Sequence, residues 1–192
     1  FCDGPKSGQS IQKLDLVKAV ANHHIWVEKF ASVRVEFSKS NLGLANSIIN
    51  GVSSVLKDYD AAIVLEDDLI VAPDFLKFMN DCLTYYRDDS HIGSVTGFCP
   101  LKQIPKGYTH DVLILPRNSS QGWATWRDRW QQVDWDATSG YKLLNCNYSL
   151  RKKFNLSGSD RFDRLRRQLE GKIDSWSIRF GLWQFLNNLN TV

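Results

Sequence analysis

Three consecutive acidic residues follow a short apolar run near the middle of the chain. Ala61 to Leu65 are apolar and include β-branched side chains, which indicates a buried, central strand of a parallel sheet, and Glu66, Asp67 and Asp68 come directly after it. Adjacent carboxylates repel one another unless a cation or hydrogen-bond donors gather beside them. Since ligands bind at the carboxyl ends of strands in open α/β sheets, the sequence predicts a concentration of negative charge at a binding edge.

Two interpretations of this acidic turn (residues 66–68) compete. In the first, it is a solvated turn in which Asp67 or Asp68 caps local backbone amides. In the second, it is a divalent-metal site that holds a diphosphate, because Mg²⁺ and Mn²⁺ prefer oxygen ligands and often take one or two carboxylates plus substrate phosphates. Pro73 and Asp74 then start a helix, and this context of strand, acids and helix favours the metal site.

Two polar positions in the first quarter of the chain could take part in the same chemistry. Asp3 follows the end of an early strand, where it is either part of a common Asp-Gly-Pro turn or a carboxylate that accepts from a base N–H or a ribose hydroxyl. Asn41 and Gly43 open a helix and could leave backbone amides facing a ligand. One glycine there is too little to indicate a phosphate loop.

The later half of the chain offers an aromatic and an acidic candidate. Trp123, Trp126 and Trp130 lie at helical spacing, and a core face is the simplest interpretation of the last two. Gly122 and Trp123 follow an Asn-Ser-Ser loop and could instead wall a sugar pocket, because flat apolar rings suit the C–H faces of sugars. Asp174 precedes a run of apolar and aromatic residues, either as the N-cap of a helix or as a general base.

The elements that must position these residues alternate between strand and helix. Periodicity predicts strands at 33–37, 61–65, 92–98 and 112–115, with helices between the first three, and this order predicts an α/β domain with right-handed parallel crossovers. The helix after Pro73 should bury one face, formed by Phe75, Leu76, Met79, Cys82, Leu83 and Tyr86. From residue 117 the chain becomes Trp-rich, then basic and helical.

Composition limits the function classes. The chain has 192 residues, of which 43% are hydrophobic, as expected for one ordinary domain. A net charge of +3 does not by itself indicate nucleic acid as a partner, and the absence of a basic stripe with interleaved aromatic residues argues against it. The four cysteines show no metal-binding spacing, and we expect a buried thiol at Cys82. No apolar stretch approaches the length that would span a bilayer.

The motifs together resemble those of GT-A glycosyltransferases, and most closely the N-acetylglucosaminyltransferase I type and its bacterial relatives. The likeness lies in the segment from Glu66 to Phe75, in Asp3-Gly4, in the Gly122-Trp123 loop and in Asp174 near Trp176. The bacterial members carry a segment that looks like the one beginning at Asn41. The likeness covers nearly the whole chain, and its motifs are fairly specific together although weak singly.

The resemblance implies a fold and a chemistry. The fold would be a GT-A, Rossmann-like, mostly parallel sheet flanked by helices, with residues 1–116 binding the nucleotide-sugar and residues 117–192 forming the acceptor side of the same domain. Since members of the family begin upstream of Phe1 and continue beyond Val192, we expect the first strand and the C-terminal end of the fold to be missing here.

The resemblance also implies roles for single residues. Asp68 would ligate Mn²⁺ or Mg²⁺ on the donor diphosphate, Asp67 would contact the ribose, and Glu66 the donor-sugar region. Asp3 would accept from the base, and Asp174 would deprotonate the acceptor hydroxyl. Three further residues, Asn41, Gly122 and Trp123, would complete the donor site.

The expected function is therefore metal-dependent transfer of a sugar, with inversion, from a nucleotide-diphospho-sugar such as a UDP-sugar to a hydroxyl of a glycan or other acceptor, as in polysaccharide biosynthesis. The alternatives are a non-catalytic or truncated module that binds nucleotide or carbohydrate, and a nucleotidyltransferase on a similar sheet. For a bacterial member we expect a cytoplasmic location, peripheral at the membrane.

Overall fold

A computed structural model of the chain describes residues 1–6, 8, 11–23, 28–101, 103–104 and 106–192. Within these ranges the chain forms two compact units, residues 1–51 and residues 52–192. The boundary between the two units falls within helix α2, which spans Leu44–Asp58. The predicted division at residue 116, between a donor side and an acceptor side, stays a prediction.

The first unit contains helix α1, Ile11–Ala21, and the first part of α2. Phe37 forms one isolated parallel bridge with Cys2, in which the Cys2 amide donates to the Glu36 carbonyl. The predicted strand at 33–37 is therefore wrong beyond this bridge. Val33 is exposed, so the alternating pattern lacks the buried face that stabilises a strand.

The second unit is built on a four-stranded mixed sheet. Its strands are β1 Ala61–Val64, β2 Ile92–Thr96, β3 Trp123–Trp126 and β4 Asn190–Thr191, and the spatial order is β1-β3-β2-β4. Strand β3 is antiparallel to both β1 and β2, whereas β4 is parallel to β2.

This topology corrects two expectations. The sheet is not mostly parallel in the described part of the chain, because β3 inserts in the antiparallel sense between β1 and β2. Strand β1 lies at the edge of that sheet and is not central. The mixed α/β class itself is confirmed, but it does not by itself distinguish the GT-A arrangement from other mixed sheets.

Helices cover much of the remainder of the second unit. They are α3 Phe75–Tyr85, α4 Arg127–Trp130, α5 Thr138–Cys146, α6 Tyr148–Phe154, α7 Arg161–Leu169 and α8 Trp176–Leu186, with a 3₁₀ turn at Asn155–Ser157. None of the helices in the described ranges is long and apolar enough to cross a membrane.

Helix α3 forms where its sequence pattern predicts. It begins at Phe75, directly after Asp74, which occupies the N-cap position without a side-chain hydrogen bond to the helix. Phe75, Met79 and Cys82 are buried as expected, and burial raises the pKa of the Cys82 thiol, with the Asp81 charge adding to the effect. Leu76 is exposed, so its assignment to the buried face was wrong.

The tryptophan-rich segment departs from the predicted helical spacing. Trp123–Trp126 forms strand β3, all four residues of which are buried, and the helix begins only at Arg127. A strand that is covered on both faces is continuously apolar, so its periodicity cannot be told from that of a buried helix. Trp126 and Trp130 lie in the core, as the simplest interpretation predicted.

Two predicted strands are shorter in the structure. The strand predicted at 92–98 ends at Thr96, and Gly97 then donates its amide to the Gly122 carbonyl. The one predicted at 112–115 is reduced to a single antiparallel bridge between Leu115 and Thr191.

Two apolar clusters hold the second unit together. One lies between the sheet and α3, and its buried residues are Phe75, Met79, Cys82, Ile92, Val95, Ala124, Trp126 and Val192. The other joins the later helices, and its buried residues are Ala137, Leu144, Phe154, Leu165, Ile178 and Leu182. The candidate site described next is positioned by the sheet edge and by the first turn of α8.

Candidate functional site

The acidic turn leaves strand β1 after Val64 and Leu65. Leu69 donates its amide to the Glu66 carbonyl, which closes a tight turn around Asp67 and Asp68. The carboxylates of Asp67 and Asp68 are exposed, whereas Glu66 is half-buried. The turn predicted by the solvated interpretation is therefore present, and the same geometry leaves two carboxylates accessible to a cation.

Among the three acids of the turn, Glu66 is the one whose ionised form is disfavoured by its surroundings. Burial raises the pKa of Glu66, and the neighbouring charges of Asp68 and Asp67 raise it further. Hydrogen bonding from the Trp176 side chain acts in the opposite direction but does not cancel the increase in that pKa. None of the three acids forms an ion pair with a residue that the structure describes. The local negative charge thus has no cationic partner within the described chain.

The Gly122-Trp123 pair lies at the same end of the β1–β3 strand pair as the acidic turn. Strand β3 begins at Trp123, which pairs with Val64, the last residue of β1. Gly122 has a φ of +64°, and a Cβ atom there would approach Phe75 Cε2 to 2.9 Å. Glycine is required by this backbone conformation and by the packing of Phe75, so the space beside Gly122 is already filled by an aromatic ring.

Trp123 is enclosed by other aromatic side chains. It is only 1% exposed, and its ring stacks on Trp176 with a centroid separation of 4.4 Å and on Trp130 at 5.6 Å. Its indole nitrogen is buried without a hydrogen-bond partner in the described chain. Direct contact between Trp123 and a sugar would therefore need this stack to open.

Asp174 lies just before α8. The N-cap of this helix is Ser175, whose hydroxyl accepts from the Ile178 amide at 3.4 Å, so the alternative that Asp174 caps the helix is wrong. The Asp174 side chain is about half exposed, and its Oδ1 lies 4.0 Å from Nη2 of Arg179. Trp176, two residues after Asp174, provides the side chain that forms a hydrogen bond with Glu66.

Arg179 anchors the residues around Asp174 to a neighbouring loop. Its side chain is largely buried, and it donates from Nε to the Ser175 carbonyl at 3.2 Å and from Nη1 to the Trp135 carbonyl at 3.1 Å. Burial lowers the pKa of Arg179, and the Asp174 charge partly offsets this. Sequence reasoning missed Arg179, although its spacing of four residues from Ser175 along a helix is compatible with such a contact.

Asn118 is a second residue that the sequence interpretation missed. It donates from Nδ2 to the Ser177 carbonyl at 3.0 Å, which fixes the loop preceding Gly122 onto the first turn of α8. Arg117, the residue before it, forms a bidentate pair with Asp160, at 3.0 and 3.2 Å. The loop that leads into Gly122-Trp123 is therefore held from two sides.

A cavity of about 450 Å³ opens next to the acidic turn. The segment Leu69–Asp74, which follows the three acids, contributes to its wall, as do Phe98, Gln121 and Gly122. A cavity of this volume is within the range of small-ligand sites. No feature of the sequence had indicated it, because its walls come from segments that are far apart in the chain.

Asp3 and Asn41 meet within the first unit. Asp3 Oδ1 accepts from the amides of Gly4 and Leu42, both at 2.8 Å, and Oδ2 accepts from Asn41 Nδ2 at 2.9 Å and from the Gly43 amide at 3.1 Å. Burial acts to raise the pKa of Asp3, but the hydrogen bonds from the Leu42, Gly4 and Gly43 amides outweigh it and lower that pKa.

This arrangement changes the interpretation of the helix start. The Gly43 amide, which was expected to face a ligand, is bonded to Asp3, and so is the Leu42 amide, because a carboxylate of the same chain already fills this end of α2. The four hydrogen bonds also occupy the positions at which Asp3 would accept from a nucleotide base. A donor contact at Asp3 would have to replace one of them.

The donor set of the acidic turn is compatible with a hard divalent cation. Its exposed oxygen ligands are of the type that Mg²⁺ and Mn²⁺ prefer, and the uncompensated charge of the turn would be relieved by such an ion. No group of three or more His, Cys, Asp or Glu side chains arranged around a metal position occurs in the described ranges. One or two carboxylates with substrate phosphates would have to complete the coordination sphere.

Comparison of the chain with known protein families, with curated proteins and with solved structures found no match. The function of the chain must therefore be inferred from the chemistry of its residues and from their arrangement.

Proposed function

We propose that the chain is a metal-dependent glycosyltransferase that uses a nucleotide-diphospho-sugar, with a UDP-sugar as the expected donor. The observation that carries the proposal is the uncompensated acidic turn at the carboxyl end of β1, beside the aromatic stack that leads to Asp174. The GT-A resemblance of the motifs at 66–75, 122–123 and 174–176 supports the same assignment.

The three residues of the acidic turn would have different roles in donor binding. Asp68, together with Asp67 where a second carboxylate is needed, would hold Mn²⁺ or Mg²⁺ through exposed oxygens, and Asp67 would contact the ribose. The bound ion would neutralise the charge that develops on the leaving diphosphate. Glu66 is less accessible, so its proposed role is to shape the donor-sugar region and not to ligate the metal directly.

Asp174 is the proposed general base. Its carboxylate would take the proton of the acceptor hydroxyl while that oxygen forms a bond to the anomeric carbon and the bond from this carbon to the diphosphate breaks. A single displacement of this kind inverts the anomeric centre. The half-exposed position of Asp174 is compatible with a role at the acceptor side.

Trp123, Gly122, Asp3 and Asn41 have indirect roles in this proposal. Trp123 supports the acidic turn and the start of α8 through Trp176, while Gly122 permits the turn that precedes β3. Asp3 and Asn41 organise the start of α2. We propose a cytoplasmic location for a bacterial member, acting in the assembly of a polysaccharide.

Calorimetric titration with UDP, with and without Mn²⁺, tests the donor site. The chain and the Asp88→Ala variant, which removes an exposed acid elsewhere, should bind UDP in a Mn²⁺-dependent manner, and Asp68→Ala should lose that dependence. If Asp68→Ala and the unmodified chain bound UDP with equal affinity in the presence of Mn²⁺, Asp68 would not be a ligand of the metal and the proposed donor site would be wrong. Mn²⁺-dependent binding without transfer from any of a panel of UDP-sugars would instead favour the non-catalytic module.

A further inference from the structure

The positive charge of the chain is concentrated in one segment. Residues 137–172 contain nine basic and three acidic residues, whereas the whole chain has 24 basic and 21 acidic residues. The remainder of the chain therefore carries a net negative charge. Such segregation creates a local positive potential that the small net charge of the whole molecule conceals.

Within this segment the cations of α7 and those of α6 differ in their partners. On α7, Arg166 pairs with Asp163 and Arg164 lies 3.8 Å from Asp160, whereas the exposed Arg167 forms no ion pair with a residue that the structure describes. On α6, Lys152 and Lys153 are exposed, and neither forms an ion pair with a residue in the described ranges. Residues 137–159, which include α5 and α6, contain four basic residues and no acidic one.

Large apolar side chains are exposed among these cations. Tyr148 is 71% exposed and Leu156 is 79% exposed, and Leu143 at the end of α5 is also exposed. Tyr148 and Lys152 lie four residues apart on one side of α6, and Leu156 follows after another four residues, in the 3₁₀ turn. We call the exposed residues Tyr148, Lys152, Lys153 and Leu156, which lie along α6 and the 3₁₀ turn that follows it, the basic face.

Arg151 fixes the aromatic member of this face. Its guanidinium carbon lies 5.4 Å from the Tyr148 ring centroid and 4.9 Å from that of Phe162, which joins α6 to α7. Phe162 also stacks on Tyr141 of α5. The exposed ring of Tyr148 is therefore held by a cation that contacts a packed aromatic pair.

Helix electrostatics account for only part of this pattern. Basic residues in the last turn of α6 interact favourably with the negative end of the helix dipole, which explains the presence of one or two cations. It does not explain why Leu156 and Tyr148 project into solvent beside them. Cations surrounding exposed apolar and amphipathic side chains are typical of helices that lie on a membrane surface.

We propose that the basic face binds the surface of an anionic phospholipid bilayer. Lys152 and Lys153 would contact lipid phosphates, while Leu156 and Tyr148 would enter the region between headgroups and acyl chains. Nucleic acid is the less suitable polyanion, because phosphate contacts alone would leave Leu156 in water. The proposal concerns the place where the protein works and does not depend on sugar transfer.

Cosedimentation with vesicles tests the proposal without donor, metal or acceptor. The chain should bind vesicles that contain phosphatidylglycerol, should bind pure phosphatidylcholine much more weakly, and should dissociate as NaCl is raised. Reversing both lysines in Lys152→Glu/Lys153→Glu should weaken binding by roughly 30-fold. The matched control Lys57→Glu/Lys106→Glu makes the same change in net charge at exposed positions elsewhere and should retain most of the binding.

An uncharged substitution separates bilayer binding from general attraction to polyanions. Leu156→Ser should weaken vesicle binding by about 10-fold, because it removes a side chain that would be buried in the bilayer. Binding to a single-stranded oligonucleotide should be weaker and should not respond to Leu156→Ser. Equal binding to phosphatidylcholine, equal losses in both lysine pairs, or an oligonucleotide affinity above that for vesicles would overturn the proposal.

Discussion

Trp123 and Trp176 stack with their ring centroids 4.4 Å apart, and this contact joins the start of β3 to the first turn of α8. Both side chains are buried, and the Trp176 indole also donates a hydrogen bond to Glu66. One aromatic residue thus contacts the Gly-Trp motif and the acidic turn, and it lies two residues from Asp174. The stack is a support for the candidate site, and its rings are not available as an open sugar platform.

Trp123→Ala should destabilise the second unit. The substitution removes a fully buried indole that contacts Trp176 and Trp130, so we expect the free energy of unfolding to fall by roughly 3–5 kcal/mol. Urea denaturation followed by Trp fluorescence and circular dichroism would measure the change. Tyr85→Ala, at an exposed ring, should stay within about 0.5 kcal/mol of the unmodified chain. A Trp123→Ala protein of normal stability that binds UDP but not the UDP-sugar would instead assign Trp123 to direct sugar contact.

Glu66→Gln should stabilise the chain at neutral pH in the absence of a divalent cation. Burial, assisted by the charges of Asp68 and Asp67, raises the pKa of Glu66 above its ordinary value of 4.5, so the folded state binds this proton more tightly than the unfolded state. The stability that Glu66 contributes is therefore fully present below pH 4.5 and is lost as the pH rises through the raised folded-state pKa. Glutamine keeps an acceptor for Trp176 and removes the ionisation.

Thermal unfolding between pH 4 and pH 7 would measure this effect, since the range begins below the ordinary pKa of Glu66, 4.5. Glu66→Gln should unfold at a higher temperature than the unmodified chain at the upper end of the range, and the two curves should converge at the lower end. Asp88→Asn serves as the control, because it neutralises an exposed acid away from the turn. A neutral-pH stability of Glu66→Gln below that of the unmodified chain would show that ionised Glu66 contributes more through its hydrogen bond than it costs.

Local patterns in the sequence predicted the local features of the site. The apolar run before Glu66 is a strand, the three acids form a turn, and Pro73 with Asp74 precedes a helix. Each of these features depends on residues that are close together in the chain, so propensity and helix-terminus preferences were sufficient.

The sequence could not predict the contacts that arrange these pieces. The insertion of β3 between β1 and β2 depends on pairing between segments about sixty and about thirty residues apart, which no periodicity records. The same applies to Asp3, whose hydrogen bonds to Leu42 and Gly43 join residues some forty positions apart. Leu76 shows a related limit, because a helical stripe identifies the apolar side of a helix but not how far the neighbouring segments cover it.

Asp3→Asn should destabilise the start of α2 in a pH-dependent manner. The Asp3 carboxylate accepts from the Leu42 and Gly43 amides, and an asparagine amide cannot replace all of these acceptor positions. The hydrogen bonds lower the pKa of Asp3 below its ordinary value of 3.8, so the stabilisation is complete above that pH and is lost as the pH falls through the lowered folded-state pKa. We expect a loss of about 1 kcal/mol at neutral pH, as for other helix-capping groups.

Hydrogen exchange of the α2 amides at neutral and at acid pH would measure the Asp3 effect locally. Exchange should be faster in Asp3→Asn at neutral pH, and the difference should shrink once the carboxylate of the unmodified chain is protonated. Asp15→Asn, on α1, provides an exposed control in the same unit. Should Asp3→Asn leave exchange unchanged but weaken UDP binding, the carboxylate would contact the donor after all.

Arg179→Lys should separate the positioning of Asp174 from donor binding. Arginine donates to the carbonyls of both Ser175 and Trp135 while its Nη2 lies 4.0 Å from Asp174 Oδ1, whereas lysine keeps the charge but lacks the fork that makes these contacts together. We expect Mn²⁺-dependent UDP affinity to be retained and kcat for transfer to fall by about 10- to 100-fold, because a misplaced base loses catalytic geometry.

Asp174→Asn, which removes the base, should lower kcat by about 10²- to 10⁴-fold with the same UDP affinity. Arg167→Lys, at an exposed position on α7, should change neither quantity. If Arg179→Lys kept full kcat while Asp174→Asn lost it, the Asp174 carboxylate would be positioned by other contacts; if Asp174→Asn also kept full kcat, the base would have to be sought elsewhere on the acceptor side.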